Sequence, residues 1–127
     1  GAIASVEFGH PDASVQSSGE GSFIHTNHYF IEGTASVGRV TAGGNEKNSR
    51  ARLQVLRNAS AGHTKQTTMQ EIVDLFSSHE NGDGSLCRHG GEGEQGTIST
   101  AIFCCETREL HFFAGNPCES KPHPLSF

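Results

Sequence analysis

The sequence predicts an α+β fold in which two helices accompany antiparallel strands. Apolar and polar residues alternate near both ends of the chain, which is typical of half-buried strands. Between those ends, apolar residues recur three and four positions apart, which is typical of amphipathic helices. Strands followed by helices and then by further strands favour an antiparallel sheet with helices layered on it.

Two strands and the start of a third are predicted before the helices. Residues 2–8 and 14–18 alternate in the manner of strands and are separated by a glycine- and proline-containing turn. A third strand is predicted to open at Gly21 and to end in the polar block His25-Thr26-Asn27-His28. Residues 32–44 are small and polar, so they predict a loop long enough to cover or shape a cleft.

The first predicted helix spans residues 46–61 and stops at Gly62. Its apolar face consists of Ala51, Val55, Leu56 and Ala59. The second helix begins after Thr68, because a threonine followed three residues later by Glu71 matches a capping box. One stripe of this helix is predicted to be buried, namely Met69, Ile72, Val73 and Phe76.

The chain is predicted to close with a β-hairpin. Residues 97–105 and 109–114 read as strands, and the three residues between them form the turn.

Composition limits the classes of function. The chain has 127 residues, about one domain, but only 33% of them are hydrophobic, which predicts a thin core and membership of a larger fold. A net charge of −5 with scattered basic residues argues against a nucleic-acid partner. No apolar run is long enough to cross a bilayer, so no membrane partner is expected.

The four cysteines are predicted to be reduced. Cys104 and Cys105 are adjacent in a predicted strand and suit small buried side chains better than ordered disulfides. A bridge between Cys87 and Cys118 stays open as an alternative. Reduced thiols and the lack of a visible secretion leader favour a cytoplasmic location, although the compartment stays open.

The polar block at residues 25–28 is the strongest candidate site. Packing alone would favour apolar residues here, so four hydrogen-bonding side chains in a row predict a function. Asn27 can aim an amide N–H at an oxyanion, as in acyl transfer. The alternative is a turn asparagine that bonds its own backbone. For His25 and His28, the simplest expectation is that one is buried and hydrogen-bonded while the other is solvated.

Two arginine-bearing segments are further candidates. Arg88 lies between glycine-rich stretches and can grip a carboxylate through its two-pronged donor face. Arg50 and Arg52 follow Ser49 in the first turns of a helix, where they oppose the helix dipole. This conflict suggests that they pair with a carboxylate elsewhere, whereas a solvated helix face is the more common explanation for either arginine.

A zinc site is an alternative hypothesis for the histidines. Its ligands would be His25, His28, Cys87 and His89, whose spacing matches no standard zinc finger. The favoured interpretation has no metal and no other cofactor.

Several motifs, in their order along the chain, resemble one known family. They are His25-Thr26-Asn27-His28-Tyr29-Phe30, Asn48-Ser49-Arg50-Ala51-Arg52-Leu53, Leu86-Cys87-Arg88-His89, Thr97-Ile98-Ser99 and Gly115-Asn116-Pro117-Cys118. From about residue 3 onward the chain is similar to the acyl-coenzyme A:6-aminopenicillanic acid acyltransferase-like proteins, which are autoproteolytic N-terminal-nucleophile hydrolases. The first block is fairly specific, and the others gain force from their order.

The resemblance implies a four-layer αββα sandwich, of which residues 1–127 form the C-terminal segment. It implies a second polypeptide from the same precursor, whose N-terminal cysteine attacks a small-molecule acyl amide or thioester. It assigns Asn27 to the oxyanion hole. It makes Arg88, Ser49, His25 and His28 candidates for substrate binding or processing. The alternative is a non-catalytic subunit of the same fold that binds a partner through its sheet.

Overall fold

The computed structural model describes residues 2–9, 12–19, 21–28, 45–62, 67–91 and 94–126. Its α+β content is as predicted, with two helices and two antiparallel sheets. The chain divides into two compact units, Gly1–His63 and Thr64–Phe127. Each unit has its own sheet and one α-helix. The predicted loop at residues 32–44 lies outside the described residues.

The sheet of the first unit is a two-stranded hairpin. Strand β1 (Ile3–Gly9) pairs antiparallel with β2 (Asp12–Ser18). Val6 lies opposite Val15 in this register, and because side chains alternate across a sheet, Glu7 points to the other face. The apolar face is open to solvent, since Val6 is 45% exposed, Phe8 70% and Val15 65%. Glu7 on the opposite face is buried.

The predicted third strand is wrong. Residues 22–28 form no strand and end in a bend at Asn27 and His28. The physical reason is the chemistry of the block, because its side chains bond to Glu7 on β1 and to Ser49 on the following helix. Side-chain contacts, rather than a strand ladder, therefore fix the described part of this segment.

Helix α1 (Asn45–Gly62) extends one residue beyond the prediction at each end. The predicted apolar face is only half-buried. The buried side of the helix is instead formed by Ser49, Arg52 and Leu53, which are three and four positions apart. Two of these three residues are polar, so α1 presents hydrogen-bonding groups where a core helix would present aliphatic ones.

Helix α2 (Met69–Phe76) of the second unit begins with the predicted capping box. The Glu71 backbone N–H donates to Thr68 Oγ1 at 3.2 Å, and the Thr68 backbone N–H donates to Glu71 Oε2 at 2.6 Å. The prediction of a buried stripe is wrong in degree. Its four residues are half-buried, and no residue of the helix is fully buried.

The second sheet has the order β3-β4-β5. Strands β3 (Ser99–Cys104) and β4 (Glu109–Ala114) form the predicted hairpin, and Phe113 on β4 is buried. Strand β5 (His123–Ser126) was not predicted, because prolines are rare in strands. Its position at the edge of the sheet accounts for Pro124, since an edge strand tolerates a residue without a backbone N–H.

Over the ranges that the structure describes, no helix combines the length and the hydropathy needed to cross a membrane.

Replacing Thr68 by alanine removes the side-chain half of the capping box. We expect the free energy of unfolding to fall by about 1 kcal/mol, which is typical for loss of an N-cap hydroxyl. Chemical denaturation followed by far-UV circular dichroism measures this, with Lys121→Ala as an exposed control. Equal midpoints for the two variants would contradict the capping assignment.

Candidate functional site

The first unit holds a polar cluster around the block predicted from the sequence. We call it the Asn27 cluster, and it comprises Glu7, His25, Thr26, Asn27, His28, Ser49 and Arg52. Glu7 is 2% exposed and lies 2.7 Å from His25 Nε2 through its Oε1 atom. The His25 side chain is 41% exposed, so this contact joins a buried carboxyl group to a histidine at the surface.

His28 is the buried histidine of the pair. Its Nδ1 atom lies 2.8 Å from Ser49 Oγ and 3.2 Å from Thr26 Oγ1. Desolvation by burial, followed by the nearby positive charge of Arg50, lowers the pKa of His28 below its ordinary value of 6.5. His28 is thus held as a neutral imidazole at neutral pH, and Ser49 ties the block to helix α1.

Arg52 determines the orientation of Asn27. Its Nη2 atom donates to Asn27 Oδ1 at 2.7 Å. A guanidinium has only donors, so the amide atom that it contacts must be the oxygen. The Asn27 Nδ2 group therefore points away from the guanidinium as a hydrogen-bond donor.

The carboxylate partner of Arg50 lies on its own helix rather than elsewhere in the chain. Arg50 pairs with Glu46 on its own helix at 2.6 Å, an exposed contact between residues four apart. Arg52 contacts the amide oxygen of Asn27 and so helps to position that side chain.

A depression of about 340 Å³ lies beside the cluster. It is lined by Val6, Glu7 and Phe8 of β1 and by His25, Thr26, Asn27 and His28. Its walls combine apolar surface with an amide, two imidazoles and a carboxylate. That combination suits a small ligand with an apolar part and a polar oxygen.

Arg88 belongs to the second unit, whereas the other four predicted site residues belong to the first. Its backbone N–H donates to Thr97 Oγ1 at 3.0 Å, and its carbonyl accepts from Thr97 N and Asn116 Nδ2. The guanidinium makes a longer contact of 3.5 Å to Gln95 Oε1. Arg88 thus has a well-fixed backbone and a half-buried side chain.

A second cluster was missed as a set by the sequence analysis. His79, Cys87, His89 and Cys118 place one nitrogen or sulfur each within 4.8 Å of one another. The sequence suggests Cys87 and His89 as possible zinc ligands, but it does not suggest His79 and Cys118. The Cys-x-His pair was the available signal, and only the fold brings the other two residues beside it.

All four cysteines are free thiols, and the Sγ atoms of Cys87 and Cys118 lie 3.5 Å apart. Desolvation, together with the neighbouring Cys87 thiol, raises the pKa of Cys118 to about 11. The Cys118 thiol is therefore a poor nucleophile at neutral pH unless a cation binds beside it.

The lowered pKa of His28 predicts a pH dependence of stability. Between that pKa and 6.5 the unfolded chain binds a proton that the folded chain does not, so stability is complete above pH 6.5 and falls as the pH drops below it. His28→Asn should flatten this dependence between about pH 7.5 and pH 5.5. Denaturation midpoints measure it, with His123→Asn as the control. A slope unchanged in His28→Asn would contradict the assignment.

Comparison with protein families gives one match. Residues 1–119 match the family described as acyl-coenzyme A:6-aminopenicillanic acid acyl-transferase. No curated protein and no solved structure gives a significant match. The family match covers nearly the whole chain and includes both units, and it agrees with the resemblance carried by the sequence motifs. The chain belongs to the acyl-coenzyme A:6-aminopenicillanic acid acyl-transferase family, a family of the acyltransferase and hydrolase type.

Proposed function

We propose that this chain is the C-terminal segment of an autoproteolytic N-terminal-cysteine amidohydrolase or acyltransferase, and that it supplies the oxyanion-hole asparagine. The substrate class is a small-molecule acyl amide or acyl thioester. The nucleophilic cysteine is carried by a second polypeptide from the same precursor. Family membership supports the reaction class, and the geometry at Asn27 supports the assignment of the residue.

The observation that carries the proposal is the hydrogen bond from Arg52 Nη2 to Asn27 Oδ1 at 2.7 Å. An oxyanion hole needs a donor that is oriented before the reaction, because reorientation during the reaction would cost part of its stabilising effect. Arg52 is 8% exposed and so provides a fixed anchor for the amide. The Asn27 Nδ2 donor is left to serve an oxygen in the depression beside it.

The remaining residues of the block keep Asn27 in place. His28 is 2% exposed and bonds Ser49 on α1, so the chain on one side of Asn27 is tied to the helix. On the other side, His25 is tied to the buried Glu7 of β1. Ser49 and His28 are therefore positioning residues in this proposal, while His25 also faces the depression as a substrate-binding residue.

The proposed reaction proceeds in two acyl-transfer steps. The cysteine sulfur attacks the carbonyl carbon, its α-amino group takes the thiol proton, and the carbonyl oxygen becomes an oxyanion that accepts from Asn27 Nδ2. Collapse of the tetrahedral state breaks the bond to the leaving amine or thiol, which receives the proton. Water or an acceptor amine then attacks the acyl-enzyme thioester by the same route and restores the cysteine.

The exposed apolar face of the β1–β2 hairpin is an argument for a second polypeptide. Val6, Phe8 and Val15 lie on one face of this hairpin and are each at least 45% exposed. A contiguous apolar sheet face normally packs against another layer. We assign that layer to the cysteine-bearing polypeptide, as expected in a four-layer αββα sandwich.

Arg88 has a different proposed role. Its carbonyl and backbone N–H are fixed by Thr97 and Asn116, while its guanidinium contacts, among the described residues, only Gln95 Oε1 at 3.5 Å. A half-buried guanidinium that is loosely held suits recognition of a carboxylate, either on the substrate or on the precursor before cleavage.

Asn27→Ala in the complete, processed protein should lower kcat for a cleavable amide or thioester substrate by about 100-fold, since one oxyanion donor is lost. KM should change much less, because the donor acts mainly on the transition state. Steady-state kinetics on the purified assembly measures both.

Asn58→Ala is the matched control, because Asn58 is an exposed asparagine of the same unit that bonds only Gln54 among the contacts described. It should keep the activity of the parent protein. Full turnover in Asn27→Ala, with folding intact, would reject the oxyanion role.

A further inference from the structure

The second cluster has the composition and the geometry of a metal centre. His79 follows helix α2, Cys87 and His89 lie in the loop before β3, and Cys118 lies after β4. We propose that these four residues bind a single Zn²⁺ ion in a Cys₂His₂ site that stabilises the second unit. This inference is independent of the acyl-transfer proposal, because none of its ligands belongs to the Asn27 cluster.

Three of the six distances between the donor atoms are close to the edges of a zinc tetrahedron, and all six are within 4.8 Å. With ordinary zinc–sulfur and zinc–nitrogen bonds, its edges would be about 3.8 Å between sulfurs, about 3.4 Å between nitrogens and about 3.5 Å between nitrogen and sulfur. The corresponding distances are 3.5 Å from Cys87 Sγ to Cys118 Sγ, 3.0 Å between the two histidine Nε2 atoms, and 3.2 Å from His89 Nε2 to Cys118 Sγ. Each is shorter than its edge by less than about half an ångström, so a small outward shift of these ligands seats the ion.

The surroundings of the ligands are also those of a metal site. Asn116 Nδ2 lies 3.2 Å from Cys87 Sγ and can donate to it, which stabilises a thiolate. Glu119 Oε1 lies 3.7 Å from His89 Nδ1, the ring nitrogen remote from the cluster. A carboxylate on that side favours the tautomer whose Nε2 is free to bind the ion.

The backbone holds the central ligand firmly. Cys87 is fully buried, and its N–H donates to the carbonyl of Ser78 at 3.0 Å. The Ser85 hydroxyl donates to the Cys87 carbonyl. The bond from the Cys87 N–H ties the Cys87 loop to Ser78, the residue before His79. Two ligands from different segments are therefore kept together by a backbone contact.

A disulfide accounts for the cluster less well than a metal does. The sulfurs are 3.5 Å apart, whereas a disulfide needs about 2.05 Å. It would also leave the convergence of His79 and His89 on the same point unexplained. Two thiolates and two imidazoles are a ligand set that favours zinc among the common divalent ions, and four protein ligands make the site structural rather than catalytic.

The test uses the purified 127-residue chain under reducing conditions. The chain is stripped of metal with a chelator and titrated with Zn²⁺ alone in competition with an indicator of known affinity. We expect about one bound ion per chain and a higher melting temperature on binding, because the ion binds the folded state. Titration with Co²⁺ should give the visible absorption of tetrahedral cobalt and a near-ultraviolet thiolate-to-cobalt band.

Cys118→Ser and His79→Asn are the informative variants, because both residues are exposed and neither change should prevent folding. Each should weaken Zn²⁺ binding by more than ~100-fold, beyond the loss seen for residues that only support ligands. Cys105→Ser and His123→Asn are the matched controls, since both residues are exposed and lie outside the cluster. They should bind Zn²⁺ as the parent chain does.

Two results would overturn the proposal. One is equal Zn²⁺ affinity in Cys118→Ser and Cys105→Ser, with circular dichroism showing both folded. The other is recovery of a Cys87–Cys118 disulfide from reduced chain refolded with excess Zn²⁺, because the bridge would consume two of the four ligands.

Discussion

A guanidinium can only donate hydrogen bonds, so the contact between Arg52 and Asn27 decides which end of the asparagine amide is available for chemistry. The other contacts of the Asn27 cluster hold the segment around Asn27 in place. Helix α1 carries Arg52 on its buried side, and Ser49 one turn earlier holds His28. Strand β1 contributes the buried Glu7 that holds His25. The bend at residues 25–28 is therefore tied to a helix and to a strand.

Burial of the polar groups in this cluster lowers the stability of the fold. The chain has only a small apolar core to compensate for that loss. Burial of Glu7, His28 and Arg52 requires each to be hydrogen-bonded or paired, since unpaired polar groups in a protein interior are unfavourable. Meanwhile Phe8 and Val15 remain exposed on the hairpin. Buried polar groups together with an exposed apolar hairpin face are what the proposed site and the proposed second polypeptide would require. The Cys₂His₂ cluster would add the missing stability in the second unit, where helix α2 has no fully buried residue.

The elements that the sequence predicts well are those governed by local chemistry. The capping box at Thr68, the extent of α1 and the closing hairpin all follow from nearest neighbours along the chain. The failures involve partners distant in sequence. Residues 22–28 read as a strand until Glu7 and Ser49 are known to bond their side chains, and β5 has a proline that its edge position accommodates. Asn27 could be singled out from its block, but its orientation could not, because Arg52 is 25 positions away.

We propose that Asn27 completes an acyl-transfer site whose nucleophile is the N-terminal cysteine of a second polypeptide. In the most direct test, the complete precursor is expressed and purified. The intact mass and the N-terminal sequence of every polypeptide are then determined under denaturing conditions. The account predicts two species, one of which begins with cysteine and stays bound to the segment that carries Asn27 until denaturation. A single uncleaved species in fully active protein would contradict it.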